Sequence, residues 1–305
     1  MRVDADSAGR RIDNFLVSEL KGVPKTRIYR MIRKGEVRVN KGRIKAAHKL
    51  SEGDEVRIPP VSQAPAAGRA GAGGGQWIAG CILYEDEHLL ALNKPAGVAV
   101  HGGSGISQGV IEALRVARPD CRYLELVHRL DRATSGVLLV AKKRSALRRL
   151  HAAFREGTTD KVYAALLVGD WQGGEREVSL PLVVEHRQNG ERHVRPGAEG
   201  KEALTRFIPA ELFGGFALLR VELLTGRTHQ IRAHAAAIDH PVAGDERYGN
   251  GVKPPGLKRL FLHAEQLTVP HPASEEPIRF EAPLDPALTR VLAGLRGLAG
   301  PGRRP

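Results

Sequence analysis

The sequence predicts an α+β protein made of two unequal parts, and two observations lead to this prediction. First, the strand-like segments do not alternate regularly with helices, which favours a mixed, largely antiparallel sheet flanked by helices and loops over a parallel, doubly wound sheet. Second, the composition changes after Pro59-Pro60, and residues 61–77 are so rich in Ala, Gly and Pro that they predict a flexible linker. We therefore expect domains at 1–60 and 78–296 and a disordered tail at 297–305.

The N-terminal part is strongly basic. Residues 1–60 hold 15 Lys and Arg against 8 Asp and Glu, so they contribute 15 − 8 = +7 to a net charge of +13. Helical spacing of apolar residues predicts helices at about 11–20 and 25–34, the second ended by Gly35. Residues 36–44 alternate apolar and polar around an Asn-Lys-Gly turn, and a short strand follows at 55–58. Nucleic acid is the expected partner; an anionic membrane is the alternative, but no apolar helix face accompanies the charge.

Two helices followed by a basic hairpin resemble the S4 RNA-binding domain. This resemblance implies that the second helix and the hairpin form one surface against folded RNA, whereas the alternative is a solvated basic face without a partner. The residues expected to bind RNA are all basic: Lys25, Arg27, Arg30, Lys34, Arg38, Lys41 and Arg43.

A polar stretch before a predicted strand is the candidate reactive site. Residues 137–141 form an apolar run that predicts a buried strand, and the loop before it places Asp131 among His128, Arg129 and Arg132. Neighbouring positive charge favours the ionised carboxylate, and the strand limits its motion. The alternative is a surface loop with local salt bridges.

Other segments of the second part also have clear patterns. Residues 161–168 predict a strand with Tyr163 near its start, and residues 217–224 predict another that runs into a helix capped by Thr225 and ending near Ile238. Further elements are expected as a strand at 89–92, helices at 108–117 and 144–154, and a strand at 259–270.

No metal or cofactor is expected. His229 and His234 are five residues apart, not the four that would place two imidazoles on one helix face for zinc, so we interpret them as hydrogen-bonding residues. The glycine-rich segment 101–105 has neither the P-loop ending nor the spacing of a dinucleotide fingerprint. Cys81 and Cys121 form no pattern, and neither a signal peptide nor a membrane span is evident, which predicts a reducing cytoplasm.

Three motifs then occur in order. They are His128-Arg-Leu-Asp131 with Thr134-Ser-Gly136, Lys161-Val-Tyr163, and Gly226-Arg-Thr-His-Gln-Ile-Arg232. Behind an S4-like module they resemble the RluA family of RNA pseudouridine synthases, over residues 1–290 apart from the linker. Within this family, the sequence most resembles the members that act on large-subunit (23S) ribosomal RNA. Ala133 departs from the family, which commonly has aspartate there, and we expect it to alter only a local turn.

The resemblance implies cofactor-free isomerisation of uridine to pseudouridine. Asp131 would be the catalytic carboxylate, either attacking C1′ or removing the 2′ proton. Arg232 would pair with Asp131, with Arg227 as the alternative because it could also bind phosphate. Tyr163 would stack on the target base and is a candidate base at C5.

The resemblance also implies substrate contacts and partners. Arg129 would enter the gap left by the extruded uridine, and Arg129, Arg227 and His128 are the predicted substrate-binding residues. The expected partner is ribosomal RNA, bound by a monomer without membrane or cofactor. Two alternatives stay open: a catalytically silent S4-type RNA-binding or ribosome assembly factor, and a hydrolase, which would need a second carboxylate beside Asp131.

Overall fold

A computed structural model describes the protein in two units, Met1–Gly74 and Gly75–Pro305. The described residues are 1–4, 7–20, 23–61, 76–102, 109–186 and 192–299. Most of the predicted linker, residues 62–75, lies outside them. Within the described residues, no helix combines the length and the hydropathy needed to cross a lipid bilayer.

The first unit packs two helices against a small antiparallel sheet. Its elements are α1 (Ile12–Glu19), α2 (Lys25–Lys34), β1 (Arg38–Val39), β2 (Gly42–Arg43) and β3 (Val56–Arg57), with strand order β2-β1-β3. Gly35 ends α2 with a φ of 72°, a left-handed conformation that glycine adopts without steric cost. Asn40 and Lys41 also have positive φ and form a two-residue turn within the predicted Asn-Lys-Gly segment. Ile12, Leu16 and Ile28 are fully buried between these elements.

The second unit is built on a ten-stranded sheet with a separate two-stranded sheet. Its strands are β4 (Ile82–Glu85), β5 (Leu89–Lys94), β6 (Glu125–Leu126), β7 (Ser135–Ala141), β8 (Asp160–Val168), β9 (Arg176–Ser179), β10 (Leu182–His186), β11 (Arg192–Pro196), β12 (Leu204–Phe213), β13 (Phe216–Leu223), β14 (Leu262–Pro270) and β15 (Pro277–Glu281). The large sheet has the order β4-β5-β7-β14-β8-β13-β12-β9, with β15 beside β14 and β6 beside β7. The β7–β14 pair is parallel and the other described pairs are antiparallel, so the predicted mixed, largely antiparallel α+β fold is confirmed.

Helices cover the sheet through alternate residues of its strands. They are α3 (Gln76–Ala79), α4 (Val110–Ala117), α5 (Arg144–Glu156), α6 (Gln230–Ala237) and α7 (Pro286–Ala299). Leu138 and Val140 of β7 pack with α4, whereas Val137 and Leu139 pack with α5. In the same way, β8 and β13 pack one set of residues against α6 and the other set against α7. Side chains pointing to both faces are therefore apolar, as strands buried on both sides require.

Several predicted boundaries were wrong. Gln76 and Trp77 belong to α3 and not to the linker, because Ile78 in the same helical turn is fully buried against the second unit's core. Helix α7 continues through residue 299, three residues into the predicted tail, because its apolar residues up to Leu295 pack into the core. Residues 300–305 lie outside the described part.

Two further predictions, the start of one strand and the cap of one helix, were wrong. The strand expected to start at 259 begins at Leu262. Thr225 does not cap α6, because its Oγ1 accepts a hydrogen bond from Leu204 N–H and donates one to Gln230 Oε1. The helix begins only at Gln230, after His229.

Gly136 is expected to be indispensable for joining β7 to β14. It has a φ of 113°, and a Cβ there would lie 2.1 Å from the Ala264 carbonyl oxygen. Gly136→Ala should lower the free energy of unfolding of the second unit by about 3 kcal/mol or more, because backbone strain and overpacking add. Gly173→Ala is the control, since Gly173 has a φ of 80° but open space around it. It should cost only about 1 kcal/mol in urea unfolding, and equal losses would contradict the steric argument.

Candidate active site

The Asp131 loop is held rigidly between two strands of the sheet. Val127 N–H donates to the Leu139 carbonyl, and Thr134 N–H donates to the Asp131 carbonyl at 3.1 Å. Gly97 N–H donates to the Arg132 carbonyl at 2.7 Å, which ties the turn after β5 to the residue next to Asp131. The Asp131 side chain is 27% exposed and faces a cavity. Its backbone position is therefore determined by the sheet and not by a free loop.

Arg232 faces Asp131 but has a stronger partner. Its Nη1 lies 3.6 Å from Asp131 Oδ2, as the sequence predicted, yet its Nε and Nη2 donate to the two Asp245 oxygens at 2.7 and 2.8 Å. Burial opposes charge on both groups, but these hydrogen bonds raise the pKa of Arg232 and lower the pKa of Asp245. Arg232 is thus a permanently charged, immobile cation beside Asp131.

Asp245 was missed by the sequence analysis. It lies in the loop 240–249, fully buried at its side chain, and also accepts N–H bonds from Arg247 and Tyr248. A single carboxylate in a turn-rich segment has no spacing signal that would link it to Arg232.

His229 approaches Asp131 from another direction. Its Nε2 lies 3.6 Å from Asp131 Oδ2, and its Nδ1 is 2.8 Å from the Tyr248 hydroxyl. His234 contacts Thr205 Oγ1 and the Leu180 carbonyl through its two ring nitrogens. The predicted hydrogen-bonding roles of both histidines are confirmed. Among the described residues, no group of three His, Cys, Asp or Glu side chains is arranged to hold a metal ion.

Tyr163 of β8 lines the same cavity and packs against two core clusters. Burial, with a contribution from the Asp131 charge, raises the pKa of its phenol. The hydroxyl therefore stays protonated at neutral pH.

His128 is tied to the scaffold. Its Nε2 accepts a hydrogen bond from Leu139 N–H at 3.0 Å, and its ring stacks on Phe154 with centroids 5.2 Å apart. Burial lowers the pKa of His128 to about 4, so the ring is neutral. It lines the cavity, but these contacts favour a role in holding the loop over direct binding of substrate.

The two remaining predicted arginines lie at the cavity and are exposed. Arg129 forms no ion pair within the described part of the chain. Arg227 donates from Nε to the Glu202 carbonyl at 2.9 Å, which points it away from the pairing with Asp131 that was its alternative role.

Lys94 is a second residue that the sequence analysis missed. It is fully buried, and its Nζ donates to the carbonyls of Pro95 at 2.8 Å, Val98 at 2.9 Å and Arg132 at 3.3 Å. Burial, then the charge of Arg259, lowers the pKa of Lys94 to about 7. The ammonium thus fastens the turn after β5 to the Asp131 loop. Its position in the sequence, at the end of an apolar strand and before Pro95, does not predict this contact with the Asp131 loop.

The cavity has a volume of about 1790 Å³ and is predominantly basic. All six predicted site residues of the second unit line it, and its acids are Asp131, Asp245 and Glu246. The ten Lys and Arg residues around it are Arg129, Arg132, Arg155, Lys161, Arg227, Arg232, Arg247, Lys253, Lys258 and Arg259. Such a surface attracts a polyanion and places positive charge around the Asp131 carboxylate.

In the first unit, the predicted RNA-binding residues lie on α2 and the β1–β2 hairpin. Arg30, Lys34, Lys41 and Arg43 are exposed, and Arg27 and Arg38 are partly exposed. Arg38 donates to the Gly35 and Lys41 carbonyls, which joins the hairpin to the end of α2. No ion pair with an acid engages these six residues within the described part of this unit. The Lys25 side chain lies outside the description.

Comparisons with known proteins identify the family of the chain. Residues 88–237 match the family model described as RNA pseudouridylate synthase, and residues 10–56 match the S4 domain. The chain is 55% identical over 304 residues to ribosomal large subunit pseudouridine synthase C of Salmonella typhimurium, covering 96% of this chain and 95% of the relative. The Escherichia coli K12 protein of that name gives the same identity and coverage.

A solved structure shows the same fold. The human protein "RNA Pseudouridylate Synthase Domain Containing 4" is 25% identical with a TM-score of 0.61, over 72% of this chain and 95% of that chain. The family resemblance inferred from the three motifs is confirmed. The chain belongs to the RNA pseudouridine synthases, a family of isomerases, and carries an S4 domain in its N-terminal unit.

Proposed function

We propose that the protein converts uridines of large-subunit (23S) ribosomal RNA to pseudouridines in the cytoplasm, with Asp131 acting at the ribose. The observation that carries this proposal is the Asp131 carboxylate, held on a cavity with Arg232 Nη1 3.6 Å away and Tyr163 in the same wall. A chain 55% identical to enzymes named for large-subunit ribosomal RNA supports the substrate. We also propose that the protein acts as a monomer.

The chemistry needs an ionised carboxylate at the sugar. The N1–C1′ bond breaks, a C5–C1′ bond forms, and the proton on C5 is exchanged for one on N1, so atoms balance without a cofactor. Asp131 serves this sequence by attacking C1′ or by removing the 2′ proton. In both routes, the fixed Arg232 cation favours the charged carboxylate.

Tyr163 and Arg129 are proposed to act on the target base and on the gap that it leaves in the RNA. The protonated Tyr163 phenol offers a ring face for stacking and is a poor base at C5, which argues against the second role expected from the resemblance. Extruding a uridine costs a few kcal/mol, and the exposed Arg129 side chain is placed at the cavity to fill the resulting gap. Arg227 retains donors for a phosphate after its Nε bond to Glu202.

Two alternatives are less well supported. Hydrolysis needs a second carboxylate that activates water. Of the two other acids at the cavity, Asp245 is buried and bound by Arg232 on both oxygens, and Glu246 is exposed to solvent. A silent RNA-binding or ribosome assembly factor would have no need of the carboxylate, cation and aromatic ring that line one cavity.

The proposed function is tested by mapping pseudouridine in 23S ribosomal RNA transcripts incubated with wild-type protein. A 16S transcript serves as the substrate control, and the Asp131→Asn variant as the enzyme control. We expect modification of discrete 23S uridines by the wild type alone. Modification by both proteins, or by neither, would defeat the assignment.

The RNA is proposed to run along α5 as it leaves the cavity. Arg148, His151 and Arg155 are exposed at positions i, i+3 and i+7, so they form one stripe on the helix, and the last two line the cavity. Arg149 lies on a different side, where it contacts Glu275 at 3.2 Å and the Pro272 carbonyl at 2.8 Å. One helix thus offers both a cation facing the RNA path and a matched cation turned away from it.

Arg155→Gln should therefore weaken RNA binding more than Arg149→Gln. Loss of one phosphate contact should reduce the slope of log K against log salt by about 0.7 to 0.9, with a several-fold loss of affinity at low salt. Arg149→Gln removes the same charge but should change the slope by less than half as much. Fluorescence anisotropy over a salt series checks this, and equal slopes for both variants would show that only net charge matters.

A further inference from the structure

His229 has an unusual backbone conformation for its residue type. Its φ is 52°, in the left-handed region that non-glycine residues rarely adopt, and it immediately precedes α6. Such strain persists where surrounding contacts over-determine it, often at functional sites. Here the side chain is 12% exposed, lines the cavity and brings Nε2 to 3.6 Å from Asp131 Oδ2. The strained backbone is what aims the imidazole at the carboxylate.

Tyr248 contacts this imidazole at its other ring nitrogen. The Tyr248 hydroxyl oxygen lies 2.8 Å from His229 Nδ1 and accepts a hydrogen bond from Val194 N–H at 3.1 Å. The two rings meet edge to face, with centroids 5.7 Å apart. The same tyrosine ring packs against the Arg232 guanidinium, whose Cζ is 4.9 Å from the ring centroid. Tyr248 therefore contacts both groups that face Asp131.

The hydrogen-bond inventory assigns the proton of the ring. Nε2 faces an oxygen of Asp131, and a carboxylate oxygen accepts hydrogen bonds, so we place the imidazole proton on Nε2; Nδ1 then accepts from the Tyr248 hydroxyl, whose oxygen also accepts from Val194 N–H. Burial lowers the pKa of His229, so the ring is neutral at neutral pH. Its Nε2–H is then an uncharged donor directed at Asp131. The charged and titratable groups that act on this ring are Asp131, Arg232, Arg247 and Asp245, together with the Tyr248 hydroxyl.

We propose that His229, held by Tyr248, is a positioning residue for Asp131. Its Nε2–H fixes the Oδ2 side of the carboxylate, and Arg232 supplies the charge at the same oxygen. The two partners differ in what they contribute, since Arg232 favours ionisation, whereas the neutral imidazole restricts orientation without adding charge. At 3.6 Å this contact is longer than a hydrogen bond, and we expect it to shorten when substrate fills the cavity and excludes water. This inference rests on the proposed function, because it concerns the carboxylate that acts at the ribose.

Four variants test the inference by single-turnover kinetics on a 23S transcript. Tyr248→Phe keeps the ring and its packing on Arg232 but removes the hydroxyl. We expect a rate loss of about tenfold with KM changed by less than about threefold, since one directed hydrogen bond is lost. Tyr84→Phe is the control, because Tyr84 donates to Asp86 outside the cavity, and it should retain the wild-type rate.

Substitutions of His229 separate the donor from the backbone. Asparagine tolerates positive φ well but is too short to reach Asp131, whereas glutamine carries an amide N–H at about the distance of Nε2. His229→Gln should therefore retain at least about a third of the wild-type rate, whereas His229→Asn should lower the rate about tenfold or more.

Each outcome bears on one claim. A wild-type protein that forms no pseudouridine would defeat the proposed function itself. Wild-type activity combined with an unchanged rate in Tyr248→Phe, or with equal rates for His229→Asn and His229→Gln, would overturn the positioning role alone. Thermal unfolding of every variant shows whether a lower rate comes from a loss of fold. If Tyr248→Phe is unfolded, the comparison of His229→Gln with His229→Asn tests the positioning role.

Discussion

Replacing Asp131 by asparagine is expected to lower the rate of pseudouridine formation by at least about 10⁴-fold, the largest effect of any single substitution in the protein. The amide has the shape of the carboxylate but can neither attack C1′ nor accept the 2′ proton. RNA binding should stay within a few-fold of wild type, because the basic residues around the cavity are unchanged. Single-turnover assays and filter binding with a 23S transcript measure the two quantities.

The variant is also expected to fold. Arg232 keeps its two hydrogen bonds to Asp245 when Asp131 loses its charge, so no buried cation is left unpaired. Asp160→Asn, an exposed position at the start of β8, is the matched control and should keep full activity. Residual activity of Asp131→Asn above about one hundredth of wild type would place the reacting group elsewhere.

The second large effect is expected at Arg232, where stability and activity are lost together. Arg232→Met keeps the length of the side chain but leaves Asp245 buried and unpaired, which should cost about 3 to 5 kcal/mol in the free energy of unfolding. Activity should also fall by about 10²- to 10³-fold, because the charge beside Asp131 disappears. Urea unfolding and single-turnover kinetics give the two values.

A double variant separates these two roles of Arg232. In Arg232→Met with Asp245→Asn, the buried charge is removed, while the amide oxygen still accepts from the Arg247 and Tyr248 N–H groups. Stability should recover by at least about half of the loss, but activity should not. Recovery of activity along with stability would mean that Arg232 serves only the fold.

Much of the fold could be predicted because its signals are local. The basic α2, its end at Gly35 and the two-residue turn at Asn40 follow from spacing and from backbone preferences. Likewise, the run from Val137 to Ala141 is a strand buried on both faces, as its uninterrupted apolar character indicated. The errors fell at element boundaries, which depend on tertiary contacts. Ile78 is buried in the core and α3 includes its neighbours, whereas Thr225 binds the Gln230 side chain and α6 begins only at Gln230.

The candidate site was found by motifs, but its internal partnerships were not. The motifs located Asp131, Tyr163 and Arg232, which line one cavity. The family resemblance implies that Arg232 pairs with Asp131, yet its two strong hydrogen bonds go to Asp245. A bidentate pair requires that the planar guanidinium and carboxylate groups face each other edge to edge. Residue 232 lies on a helix and residue 245 in a loop, and no local sequence pattern predicts how that helix and that loop are placed relative to each other.

By itself, the sequence determined the fold class, the basic character of both units and the family to which the chain belongs. These follow from periodicity, charge and the order of short motifs, which are properties of neighbouring residues. Only the tertiary structure decided that Lys94 fastens the Asp131 loop, that Asp245 holds Arg232, and that His229 meets Asp131 with Tyr248 behind it. The physical reason is that directed hydrogen bonds act over about 3 Å, and only folding brings groups so far apart in the chain within that distance.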